Sequence, residues 1–123
     1  MEFNIDALKS EYKYVFITEY PDYDLQIAYR PLKRKELDYV NFELVLDKTE
    51  EELSKLPAHE LNKMVLGMQE QRSLYIVSNT FLASNQFTKE EIIDQDALPG
   101  SILFKLAEDI YQASQPTGET KKV

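Results

Sequence analysis

Cysteine is absent, histidine occurs once and glycine only three times in 123 residues. Each shortage excludes something. Without cysteine there is no disulfide framework, no thiolate zinc site and no cysteine nucleophile, a composition that suits a reducing compartment. The three glycines, Gly67, Gly100 and Gly118, lie far apart, so no glycine-rich loop can cradle a phosphate. No run approaches the ~20 apolar residues of a membrane-spanning helix. The opening Met1-Glu2-Phe3-Asn4-Ile5-Asp6 carries acid where a signal peptide carries basic charge. The expectation is a soluble cytoplasmic protein.

What is present fits an ordinary globular chain. Hydrophobic residues make up 43% and charged residues 29%, enough for one modest core without staples. A single domain over 1–114 is expected, followed by a polar tail, 115–123, whose composition predicts disorder. The net charge of −8 repels nucleic-acid backbones and anionic membranes, so neither is expected as a partner.

The pattern along the chain predicts an α+β fold, mostly a helical bundle with an N-terminal β-hairpin. Ile5, Leu8 and Tyr12 recur at helical spacing behind Asn4, a good N-cap. A hairpin follows over about 13–30. Tyr14-Val15-Phe16-Ile17-Thr18 reads as a strand buried on both faces or nearly so. Tyr20-Pro21-Asp22-Tyr23-Asp24 has turn chemistry. Leu25, Ile27 and Tyr29 alternate with polar or small residues, as in a half-buried strand. Helices are then expected over about 33–46, 49–56, 58–84 and 98–114. The second half of 33–46 is so apolar that cover on more than one side is expected. Thr49 and Thr88 each begin a Thr-x-x-Glu capping box. The polar stretch Gly67–Ser73 predicts a kink or break in helix 58–84.

No catalytic constellation emerges. His59 has no serine, cysteine or second acid beside it by local spacing, and it reads as a surface or capping residue. Glu50, Glu51, Glu52, Glu90 and Glu91 lie in first helical turns, where negative charge is favourable without any function. Asp94 to Gly100 lacks the ligand register of a calcium loop, so no metal or other cofactor is expected. The cluster Arg30, Lys33, Arg34 and Lys35 opposes a helix dipole and is a candidate for binding an acidic partner or an anion. Pairing within the fold is the alternative. Among the tyrosines crowding the first third of the chain, Tyr20 and Tyr23 on the turn are the better interface candidates.

Two segments carry a resemblance. Tyr29-Arg30-Pro31-Leu32-Lys33-Arg34-Lys35-Glu36 follows the hairpin, and Leu98-Pro99-Gly100-Ser101-Ile102-Leu103-Phe104-Lys105-Leu106-Ala107-Glu108-Asp109-Ile110 ends the helical part. In this order the chain resembles, in outline over 5–114, small tail-morphogenesis proteins of tailed bacteriophages. These are the tail assembly chaperones and baseplate-hub-like proteins of contractile tails. Where such sequences often place a hydroxyl residue before Arg-x-Glu, this chain has Lys33. The resemblance implies a non-enzymatic protein of the host cytoplasm. A chaperone of this kind coats a long helical tape-measure protein until tail-tube subunits replace it. The apolar second halves of 33–46 and 74–83 would then form a groove, with Val45, Leu46 and Leu82 facing the partner. Two other readings are a structural tail or baseplate component and an acidic DNA mimic that inhibits a host enzyme. The bases between Lys33 and Lys35 interrupt the acidic face that a mimic needs.

Overall fold

The computed structural model describes residues 4–115. Helix α1 (Ile5–Glu11) starts as expected, with the Asn4 side chain accepting from the Ala7 N–H at 3.1 Å. Strands β1 (Phe16–Tyr20) and β2 (Leu25–Tyr29) then pair antiparallel, Phe16 opposite Tyr29 and Tyr20 opposite Leu25. A 3₁₀ turn, Pro21–Tyr23, joins them and closes on Asp24 in the left-handed region, φ 54°. Aspartate tolerates that conformation better than most residues because its short side chain can bond locally.

The burial of the hairpin differs from expectation. β1 is the outer strand of a three-stranded sheet, order β1-β2-β3, and Phe16 and Ile17 are 40% and 42% exposed. The half-buried strand, β2, is instead the central one, with Leu25, Ile27, Ala28 and Tyr29 all buried. β-branched and aromatic content specifies a pleated strand but not how many neighbours it acquires.

Helix α2 (Arg34–Phe42) stops before the predicted end at residue 46, as the Glu43 and Leu44 N–H groups both close on the Tyr39 carbonyl. Its apolar end is not covered: Phe42 is 71% exposed, and Val45 beyond it is also exposed. Helix α3 (Glu50–Ser54) is short and buries no residue fully, but it carries the expected cap. Thr49 Oγ1 accepts from the Glu52 N–H while the Glu52 carboxylate accepts from the Thr49 N–H.

Helix α4 (Ala58–Thr80) runs for 23 residues through Gly67 without the expected break. One helical glycine costs only about 1 kcal/mol, too little to interrupt so long an element. The helix also ends earlier than residue 84. Ser78, Asn79 and Thr80 donate back to the carbonyls of Tyr75, Tyr75 and Ile76 at 3.1, 2.8 and 2.7 Å. Such local bonds favour a helix terminus over continuation. Residues expected in the helix become strand β3 (Phe81–Ser84), antiparallel to β2. Ala83 faces Ala28 and Phe81 faces Tyr29, leaving Leu82 as the extra residue of a bulge.

The remaining elements close the core. Helix α5 (Lys89–Ile93) has the predicted Thr88–Glu91 capping box. Helix α6 (Gly100–Ala113) follows, with Pro99 at its N-cap. Ile27 of β2, Ile76 and Val77 of α4, Ile92 of α5 and Leu106 and Ile110 of α6 join in one buried cluster. The architecture is thus mixed, with the sheet inside the core rather than a hairpin appended to a bundle. The tail expected to be disordered lies outside the described residues from 116 onward. Gln115 still bonds back to Gln112 and Tyr111.

Candidate protein-binding surface

Helix α4 positions the surface. Its buried residues are Ser73, Ile76, Val77 and Thr80, all in its last third. Arg72 marks the border, its guanidinium 3.9 Å from the Glu108 carboxylate and 4.5 Å from the centre of the Tyr111 ring. Before Arg72, α4 has no fully buried residue, yet this half carries Leu61, Met64, Val65, Leu66 and Met68. Leu66 precedes Ser73 by seven residues and Val77 by eleven, so it lies on the same stripe as the buried set. It is nevertheless 56% exposed, and Val65 beside it is also exposed. The core-facing stripe of α4 therefore continues past the core.

The end of α2 carries a second set of exposed apolar residues. The Arg30 N–H donates to the Thr80 carbonyl at 3.0 Å, and Tyr39 stacks on Tyr75 with ring centres 4.7 Å apart. The chain thus runs beside the last third of α4 from Thr80 to Tyr75, and Phe42 and Val45 beyond it are exposed. Around them the segment 43–70 exposes Glu43, Asp47, Glu50, Glu51, Glu52, Glu60 and Glu70 alongside Lys48, Lys55 and Lys63. Exposed apolar side chains within a charged rim are the anatomy of a protein-binding patch.

The residues singled out from sequence divide sharply. Tyr20 is 5% exposed, and its hydroxyl donates to Asp109 Oδ2 at 2.9 Å. Burial pushes this phenol far above its ordinary pKa, and the Asp109 carboxylate adds to the rise. Tyr20 is a core residue, not an interface residue. Tyr23 is exposed, while its carbonyl accepts from Gln86 Nε2 at 2.8 Å.

Arg30 leaves the basic cluster to serve the fold. Its guanidinium grips both oxygens of Glu36 at 3.0 and 2.9 Å and also donates to the Pro31 carbonyl. The same carboxylate accepts from the Lys33 N–H at 2.8 Å. Lysine has no acceptor, so only this half of a capping box forms at α2. Burial works to raise the Glu36 pKa. The Arg30 hydrogen bonds, the Lys33 N–H and the two positive charges overcome it and hold the carboxyl below its usual range. Lys33, Arg34 and Lys35 remain exposed, as does His59.

Of the expected groove, Val45 is exposed and Leu46 half-buried, whereas Val77 and Phe81 are buried and Leu82 is half-buried in the β3 bulge. The 74–83 side is thus interior. Phe42, Val65 and Leu66 were not singled out; the signal for Leu66 was its spacing from Ser73 and Val77. A separate cleft of about 460 Å³ lies between Tyr12, Tyr14, Arg30, Pro31 and Lys33. Among the described residues no cluster of three or more His, Cys, Asp or Glu side chains could hold a metal ion, and no helix is long and apolar enough to cross a membrane. Comparison with protein-family models, curated proteins and solved structures returns no match.

Proposed function

We propose that this protein acts by binding another protein, as a tail assembly chaperone of a tailed bacteriophage holding a long helical tape-measure-like partner. The observation that carries the binding mode is Leu66, a core-stripe residue of α4 left 56% exposed. A helix laid along α4 would continue the packing that α6 gives to the buried half, in the helix-in-groove mode. Phe42, Val45 and Val65 supply further apolar contacts, and the acidic exterior keeps a loaded complex in solution. The assignment to phage tails rests on the resemblance of residues 29–36 and 98–110. The helix-binding mode rests on the surface and stands without it.

Affinity capture of the full chain from infected source cells, with mass spectrometry of what co-purifies, tests both parts. The expected result is a long, helix-rich protein retained by the wild type and lost by Leu66→Asp, with amide exchange slowed over 42–66 in the complex. Capture of a host nuclease or polymerase instead would favour the acidic-inhibitor reading. Equal capture by Leu66→Asp would remove α4 as the binding surface.

A further inference from the structure

Arg30 and the basic residues that follow it have different surroundings. Arg30 is engaged by Glu36 and the Pro31 carbonyl. Lys33, Arg34 and Lys35 are exposed and make no ion pair among the described residues. Lys13 is in the same condition, although it lies far from them in the chain. The fold brings it back, because Lys13 and Lys33 both line the cleft of about 460 Å³. Glu11 is the one carboxylate of that lining, and it pairs with neither lysine. In a chain of net charge −8, cations gathered without counter-charges reverse the sign of the surface locally. Such a spot attracts a group of opposite charge.

The walls between these charges are apolar. Tyr12 and Tyr14 stand on the connection from α1 to β1, and Pro31 and Leu32 on the connection from β2 to α2. Tyr14 is 56% exposed, and the Lys13 ammonium lies 5.5 Å from the centre of its ring. One side of the cleft therefore presents an aromatic face and a cation together. The other side is held in shape. The Leu32 N–H donates to Ser114 Oγ at 2.8 Å, which ties it to the end of α6, and the Arg30–Glu36 clamp fixes the turn into α2. A volume of this size suits a drug-sized ligand or a few side chains.

We infer that this cleft binds a short acidic peptide segment of another protein, its carboxylates at Lys13 and Lys33 and an aromatic side chain between Tyr12, Tyr14 and Pro31. Each part of that ligand answers part of the lining. The lysines call for carboxylates, and the tyrosines and proline for an apolar group, best an aromatic one. A long polyanion such as nucleic acid would extend past the cleft onto the acidic remainder of the surface, where repulsion acts within a Debye length of roughly 8 Å. A short segment ends at the cleft. No residue of α4 lines it, so the inference stands independently of the proposed helix-binding surface.

The test is fluorescence anisotropy of a labelled probe peptide, Asp-Glu-Phe-Glu-Asp, titrated with the full chain, with circular dichroism to confirm that each variant is folded. Saturable binding is expected, and it should weaken as salt rises. Lys13→Glu and Lys33→Glu should each weaken it about tenfold or more, as the loss of a charge-assisted bond does. Tyr14→Ala should weaken it severalfold, while Leu66→Asp should leave it unchanged. A wild type without saturable binding would overturn the inference, as would affinity indifferent to both lysine substitutions. A probe with alanine in place of phenylalanine that binds as tightly would also overturn it, and so would inorganic phosphate that binds as tightly as the probe. Either result would reduce the cleft to a simple anion site. Binding abolished by Leu66→Asp would place the contact on α4 instead.

Discussion

The two halves of helix α4 share one backbone and a similar supply of apolar residues, yet only one is core. Ile76 and Val77 are fully buried, while Val65 and Leu66, about three turns earlier, face outward. Helical periodicity is continuous between them. The difference lies in what stands opposite. The last third joins the buried cluster shared with α6, β2 and α5, whereas the stretch before Arg72 buries no residue fully and keeps Leu61, Met64 and Met68 half-buried. An amphipathic stripe is thus a demand for a partner, and whether the fold or another molecule meets it depends on tertiary reach.

The largest test of this contrast compares truncations in the two halves. Ile76→Ala should destabilise the protein by about 2–5 kcal/mol in urea unfolding, through lost burial and a cavity. Leu66→Ala should cost no more than ~0.5 kcal/mol, as exposed positions do. Equal costs would mean that the first half is as much core as the last.

Next in size is the Arg30–Glu36 pair, which ties the end of β2 to the start of α2. Arg30→Ala should cost about 1–3 kcal/mol, the range for a charge-assisted bond whose partner is left partly buried. Acid sharpens this. The folded-state pKa of Glu36 lies below its ordinary value of 4.5, so between the two values the unfolded chain binds more protons. The pair's contribution is therefore complete above that ordinary value and lost as pH falls through the lower folded-state one. Glu36→Gln should flatten the acid limb of stability against pH, and an unchanged limb would remove the pair as a source of acid sensitivity.

The caps provide a finer comparison. Thr88→Ala should lower global stability by about 1 kcal/mol, because α5 places Ile92 in the core. Thr49→Ala removes the same bonds from α3, which buries no residue fully. Its loss should appear as faster amide exchange over 50–54 with little change in the unfolding midpoint. The smallest effect is expected at Gly67, where a Cβ would meet nothing within 4 Å. Gly67→Ala should slow exchange in the outer half of α4, gaining up to ~1 kcal/mol of local helix stability. A comparable rise in global stability would show the two halves unfolding as one unit.

The parts legible in the sequence were those governed by neighbouring residues. Asn4, Thr49 and Thr88 cap helices through bonds three residues away, and Pro21 with Asp24 closes the hairpin. Ser78-Asn79-Thr80 carried an equally local stop signal for α4 that apolar content obscured. The candidate surface was only partly legible. Val45 is exposed as expected, but Tyr20 turned inward to Asp109 and Leu82 became a strand bulge. Arg30 proved to be a structural residue because Glu36, six positions on, returns to it across a turn.

Sequence by itself determined where helices begin, where the hairpin turns and which side chains are apolar, because those depend on bonds and sterics within a few residues. Only the tertiary structure decided which apolar stripes would be covered. It made β2 central and β1 an edge, drew Phe81–Ser84 out of the helix to pair with β2, and left Leu66 in solvent. Burial is a property of two surfaces meeting, and a one-dimensional pattern specifies only one of them.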